Sequence, residues 1–441
     1  MRLFSALALC FLYVGISAQN TYVPDDSFEQ YLIWLEMDDV LDDSVLTANI
    51  VDVQSLHLAY SSIHDLTGLE GFLSLDSLSI SELQNSDISY LDMSVVPWLK
   101  YLDCYNQNGQ IDSLNLSQNT ALQFLDASGN SITSLDLSNN AVLEHLTCNF
   151  NQISDLDLSN NLQLKDISVD HNSLTSLDLT LNDSLSGVSC SWNAISELDL
   201  SNKPNLEFVF CENNTLSVLE LSNVPELVRV WCADNQISEL DVLNKPNLEQ
   251  LFAGNNLLTS LDLSSCGSLI WIWLDSNQLF ELNVANGLNA YMAGFPGGGI
   301  EYIPDFTDNP DLTCITVDDV ALSTEWWNTE GYPIFNNPNG YASIDSTMYF
   351  SANCSSVFVD EISPLSVLIY PNPSSSHITV DLGDLTGLNT TVKMYDVSGK
   401  RVFETQSSSS TTIDVSDLTA GMYTLELSTS DTVFRNQIVV E

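Results

Sequence analysis

Residues 143–158 read Leu143-Glu144-His145-Leu146-Thr147-Cys148-Asn149-Phe150-Asn151-Gln152-Ile153-Ser154-Asp155-Leu156-Asp157-Leu158. Apolar residues stand at 143, 146, 148, 153, 156 and 158, around one fixed polar residue, Asn151. The frame returns at Leu185, Val188, Cys190, Asn193, Ile195, Leu198 and Leu200. Written generally it is L-x-x-L-x-C/A-x-x-N-x-I/L-x-x-L-x-L. Its asparagine recurs at Asn130, Asn151, Asn172, Asn193, Asn214, Asn235, Asn256 and Asn277, each 21 residues after the last. One such unit is too short to bury its own apolar face, so units must stack and share a core. The alternation Leu146-x-Cys148 is a short strand with one face inward, and stacked copies pair as a parallel sheet. The asparagine turns the chain inward, where its amide satisfies backbone groups that the turn leaves unpaired.

Eight copies in phase make the frame specific, and it resembles the leucine-rich repeat family. Less regular copies start near Val53, Leu75, Leu99 and Leu312. The resemblance implies a solenoid of about 11–12 coils of mostly 21 residues over residues 50–320, with a parallel β-sheet on its concave face. A solenoid exposes a raw apolar layer at each end and needs caps. Residues 19–49 are expected to form the first, with a helix opened by Pro24, Asp25 and Ser27 and carrying Phe28, Tyr31, Leu32 and Leu35 on one face. The second is placed at 321–355, after the glycines of Phe295-Pro296-Gly297-Gly298-Gly299, with Trp326 and Trp327 over the last coil.

Outside the repeat the chain has an address at each end. Arg2, an apolar run from Leu3 to Val14, and small residues at Ser17 and Ala18 read as a cleaved secretory signal over residues 1–18. Ser363 and Pro364 mark a linker, residues 356–366. Short alternating strands then fill 367–441 and predict a small β-sandwich. Four pieces stand out: Tyr370-Pro371-Asn372-Pro373, Met394 to Lys400 with Gly399, Leu418 to Tyr423 with Gly421, and a last strand with Arg435. In combination they resemble the type A sorting domain of the type IX secretion system of Bacteroidetes. That resemblance implies recognition by the secretion machinery, passage through the outer membrane, and a secreted or cell-surface protein. The tail holds Lys393, Lys400, Arg401 and Arg435, four of the nine basic residues left once Arg2 is removed.

The 441 residues carry 59 acidic and 10 basic side chains, a net charge of −49. That balance excludes nucleic acid as a partner, and no stretch after the signal is apolar enough for membrane insertion. A monomer is expected. Of nine cysteines, Cys148, Cys190, Cys211 and Cys232 keep the 21-residue phase, which makes them a column of small buried residues. Cys314 and Cys354 lie outside the regular repeat and are the candidates for a disulfide.

No zinc, nucleophile-elbow or phosphate-loop motif is present, and the five histidines are scattered. The chain is read as non-catalytic, with no cofactor and no metal ligands. Asp136, Asp157, Asp178, Asp199, Glu220, Asp241 and Asp262 form an acidic column on the side opposite the main sheet. Coils about 5 Å apart put each like-charge contact on the order of 0.8 kcal/mol. The column reads as a salt-screened ladder, or as loose Ca²⁺ binding. The latter would suit an acidic adhesion or surface component without a discrete ligand.

The concave face offers a sharper site. The third and fifth frame positions flank the inward residue of each strand. They run polar in the N-terminal half and aromatic in the C-terminal half. Phe208, Phe210, Arg229, Trp231, Phe252, Trp271 and Trp273 are therefore the candidate ligand surface, for a protein or a glycan.

Overall fold

The computed structural model describes residues 19–288, 304–327, 344–354, 368–370, 373–382, 390–396, 400–429 and 433–440, apart from residues 60, 85, 107, 108 and 110. The signal segment, the 295–299 glycines, the 356–366 linker, Pro371, Asn372, Gly399 and the side chains of Trp326 and Arg435 lie outside the described residues. The chain divides into two compact units, with the boundary after Cys354.

The first unit is the solenoid. Eleven three-residue parallel strands form one sheet, from Ser55–His57 to Trp271–Trp273. From Phe124 onward the register advances by one repeat per strand, as in Asp166 opposite Gly187 and Phe208 opposite Arg229. The first coils are longer, and Ser55 pairs with Ser77, Ser77 with Tyr101 and Tyr101 with Phe124. The middle residue of each strand points inward; Leu146, Ile167, Val188, Val209 and Val230 are all buried. With the leucines of both half-frames they build one core that runs from Val23 to Phe350.

Two polar columns thread this core. Asn151 shows the pattern of the first. Its Nδ2 donates to Cys148 O in its own turn at 3.1 Å and to Ala127 O one coil earlier at 2.9 Å, while its Oδ1 accepts from Ile132 N at 2.9 Å. Each rung therefore ties two coils and satisfies buried backbone groups on both. The column gains a rung at Asn309, bonded to Phe306 O, Leu274 O and Leu279 N. The second column, Asn119, Asn140, Asn161 and Asn182, was not anticipated. Asn140 Nδ2 donates to Leu116 O and Asn119 O on the preceding coil. The buried Lys203 and Lys245 take the same place in later coils. Lys203 reaches outward to Thr180 O and the exposed Asp183.

The thiols stack as expected. Cys104, Cys148, Cys190, Cys211 and Cys232 are buried and free. Burial pushes the thiols of Cys148 and Cys232 up to about 12. Cys104 joins them although its coil breaks the 21-residue phase.

Buried residues continue the core beyond both ends of the main sheet. Helix α1, Asp26–Trp34, is capped by Asp25, whose Oδ1 accepts from Ser27 N and Phe28 N at 2.8 and 2.9 Å. The other oxygen of Asp25 takes His64 N and Asp65 N, which fastens the helix to a coil. Phe28 and Leu32 are buried, with Tyr31 and Leu35 packed at the margin. At the far end a parallel bridge from Trp273 to Asp305 continues the main sheet. Cys314–Thr316 pairs with Glu281–Asn283 and with Tyr349–Ser351. Trp327 is buried edge-on against Phe306 and Phe350, and a disulfide joins Cys314 to Cys354.

The second unit has two antiparallel sheets. One holds Leu368–Tyr370, His377–Asp381 and Thr411–Asp414; the other holds Thr390–Asp396, Arg401–Ser407, Gly421–Ser428 and Val433–Val440. They share a core of Ile378, Val380, Val392, Met394, Ile413, Leu425 and their neighbours.

Candidate functional site

The frame turns the third and fifth residues of each concave strand away from the core. In the second half of the solenoid the fifth residues are Phe210, Trp231, Phe252 and Trp273, and their rings form one column. Centroids are 4.7 Å apart for Phe210–Trp231, 5.1 Å for Trp231–Phe252 and 4.3 Å for Phe252–Trp273, the last two pairs stacked. The neighbours close over Phe252, which is 7 % exposed, whereas Trp273 at the end of the column is 39 % exposed. Trp231 Nε1 donates to Oε1 of the buried Gln250 at 3.2 Å. In the third column the Arg229 guanidinium lies 5.4 Å from the Phe208 centroid, within cation–π range. Arg229 Nε is buried and has no hydrogen-bond partner among the described residues. Trp271 completes the third column. The seven candidate residues thus lie on four adjacent strands, Phe252 as a buried support between two larger rings.

In the first half the fifth column is polar and knitted together. Ser189 Oγ donates to both oxygens of Asp170, at 2.8 and 2.7 Å, and Ser191 N donates to Oδ1 at 2.6 Å. Asn149 Oδ1 accepts from Asp170 N and Ser168 Oγ. Burial outweighs these bonds and raises the carboxyls of Asp126 and Asp170 above the usual range. The expectation of a polar N-terminal half fails in the third column, where the Tyr101 and Phe124 rings stack at 4.3 Å. His145 pairs with Asp166 at 2.9 Å, and Asp166 leans into the space that a side chain at Gly187 would fill.

A second aromatic column was missed from the sequence. Phe150, His171 and Trp192, each directly before a ladder asparagine, stack at 4.3 and 5.1 Å along the rim of the concave face. Its only sequence sign is that these three are bulky where the same position elsewhere holds Gly129, Asn213, Asp234, Asn255 or Ser276.

The acidic column on the opposite side has a local task. Asp136, Asp157, Asp178 and Asp199 each accept the backbone N–H two residues on, at 2.9–3.0 Å. Bonds from Ser138, Ser159, Thr180 and Ser201 hold their carboxyls below the usual range. Among the described residues no group of three or more His, Cys, Asp or Glu is placed to hold a metal ion.

In the second unit Tyr423 is buried, and its hydroxyl donates to Thr419 O at 2.7 Å. Tyr370, Pro373 and Lys400 are exposed, and Glu426 pairs in register with Arg435. Gly421 starts the strand that carries Tyr423.

Comparison with known proteins agrees with the two-part fold. A family profile described as "Secretion system C-terminal sorting domain" matches residues 368–441. Among solved structures, the functional domain of InlJ from Listeria monocytogenes, which includes a cysteine ladder, aligns with 96 % of this chain and 99 % of its own, at 20 % identity and a TM-score of 0.51. An internalin, inlF, from the same species aligns over 69 % of this chain and 94 % of its own, at 18 % identity and a TM-score of 0.49. Comparison with curated proteins found no match to the chain. The chain is a leucine-rich-repeat solenoid followed by a type IX secretion sorting domain, which directs it out of the cell for release or surface display.

Proposed function

We propose that the exported solenoid is a non-catalytic binding module that recognises a protein or a glycan on its concave face, through Phe208, Phe210, Arg229, Trp231, Trp271 and Trp273, with Phe252 holding the rings in line. The observation that carries this reading is the ring column on four adjacent strands, beside an Arg whose buried Nε has no hydrogen-bond partner among the described residues. Aromatic and Arg anchors of this kind dominate binding energy at interfaces. Stacked rings on a rigid sheet also lose little side-chain entropy on binding.

The test is a screen of the mature protein against immobilised proteins and glycans, with and without Ca²⁺. Trp231→Ala is expected to weaken any concave-face hit by roughly 2 kcal/mol, about thirtyfold. Trp231→Phe keeps the stack and checks the fold by thermal melting. A hit that survives Trp231→Ala in a folded protein sinks the assignment. Self-association in Ca²⁺ with no hit at all favours the acidic structural component instead.

A further inference from the structure

We propose that the rim column of Phe150, His171 and Trp192 is a second docking site, and that it takes a basic protein segment bearing apolar side chains. The position before each ladder asparagine demands a left-handed backbone. Gly129, Asn213, Asp234 and Asn255 meet that demand with residues that tolerate it. Phe150, His171 and Trp192 adopt φ of 54°, 52° and 58°, which bulky side chains rarely do. The core does not need them, because Leu146, Ile167 and Val188 fill those coils from within. Phe150 and Trp192 are instead 58 % and 54 % exposed. Backbone strain spent on displaying apolar rings in three successive coils points to a use at the surface.

The stacking geometry selects the occupant. Interplanar angles of 13° and 10° take up both faces of His171 and the inner faces of Phe150 and Trp192, which leaves ring edges along the column and one outer face at each end. Ring edges carry the positive end of the quadrupole, so they receive aromatic faces and aliphatic groups and do not attract cations. Sugars, which stack on ring faces, find few faces to use here. Cations fit one column inward. Asp170 precedes His171, and Glu212 lies one coil beyond Trp192, whose N–H donates to Glu212 O. Glu212 is pushed up by burial and then by the nearby Asp234 and Asp170, a repulsion that an incoming Lys or Arg would relieve. From residue 124 to 212 the chain has two basic side chains, and both are spent: Lys165 on Glu144, and Lys203 inside the core.

The rings of this site lie in other columns and on other coils than the Phe208–Trp273 surface, and only Glu212, two residues after Phe210, shares a coil with it, so ring variants test the two surfaces separately. The experiment uses the mature protein and labelled twelve-residue peptides, (Arg-Trp-Gly)4, (Arg-Gly-Gly)4 and (Glu-Trp-Gly)4, with cellohexaose as the glycan arm. The expected result is that (Arg-Trp-Gly)4 binds at least tenfold tighter than the other three. The triple variant F150N/H171N/W192N should lose that advantage, while its melting temperature holds or rises because Asn suits the left-handed backbone. Four outcomes overturn the proposal: equal binding of (Arg-Trp-Gly)4 and (Arg-Gly-Gly)4, preference for cellohexaose, unchanged or absent peptide binding across both proteins, or a melting temperature lowered by several degrees in the triple variant. Peptide binding that survives the triple variant and fails in Trp231→Ala assigns the peptide to the sheet floor and also overturns it.

Discussion

The strands from Phe124 to Ser189 and those from Phe208 to Trp273 share one backbone and carry different surfaces. Each half advances by the same register, buries the same column of branched residues and repeats the same asparagine bonds. The first half has a polar fifth column of Thr147, Ser168 and Ser189, carries the Phe124 ring in the third column at its start, and stacks Phe150, His171 and Trp192 on the rim. The second half reverses this, with rings on the floor and Asn213, Asp234 and Asn255 on the rim. Inward residues are held by packing and polar satisfaction, so they repeat. Outward residues are released from both constraints, so their pattern is where function is written.

The largest test of this comparison is on the shared frame. Asn151→Ala and Asn235→Ala should each destabilise by about 3 kcal/mol, because each leaves a buried N–H and carbonyls on two coils without partners. Asn235 makes the same bonds as Asn151, to Cys211 O, Cys232 O and Leu216 N at 2.9, 3.1 and 2.9 Å. Chemical denaturation of the two variants checks it. A difference above about 1 kcal/mol would mean that the halves do not share one frame.

What the frame fixes was legible in the sequence, and what it leaves open was not. The 21-residue asparagine phase contains the main sheet, its register and the inward column. It also leads to the seven concave candidates, since alternation assigns each strand residue a face. Asn119, Asn140, Asn161 and Asn182 also recur every 21 residues, so their column stands in the sequence; what the sequence does not show is that their amides turn inward to carbonyls one coil back. Cys104 escaped because the longer early coils shift its phase. The exposure of Phe252 was misjudged because ring-on-ring shielding depends on rotamers in adjacent coils. The acidic column was seen as a ladder of charges, while its Asp-x-Ser/Thr turns were the physical cause.

A pH titration sharpens the comparison at intermediate strength. Asp170, in the polar floor, has its folded value raised by burial. Its contribution to stability is therefore fully present below the unfolded value, about 3.9, and is lost as pH rises through the folded value. Asp157, on the opposite side, has its folded value lowered by Ser159, so its contribution is present above that same unfolded value and is lost as pH falls through the folded one. Carboxyl chemical shifts followed by NMR should show Asp170 titrating above, and Asp157 below, an ordinary aspartate. Asp170→Asn should gain stability relative to the wild type between pH 4 and pH 7. A variant whose relative stability does not change over that range would show that the Ser189 and Ser191 bonds outweigh burial.

The smallest effect belongs to the thiol column, which crosses from one half into the other. Cys148 and Cys190 lie under the polar floor, and Cys211 and Cys232 under the aromatic one, all buried and unpaired. A side chain that only fills space should be indifferent to the surface above it. Cys148→Ala and Cys232→Ala each remove one methyl-sized group from a packed core and should cost about 1 kcal/mol, equally in both halves. The double variant should cost the sum, since the two sites are four coils apart and share no partner. The same reasoning covers reactivity. With burial pushing these thiols up to about 12, the folded protein at pH 8 should resist alkylation at both positions and react fully once unfolded. Rapid labelling of Cys232 but not Cys148 would show that the aromatic half opens locally. That would break the equivalence of the two halves at the level of the frame itself.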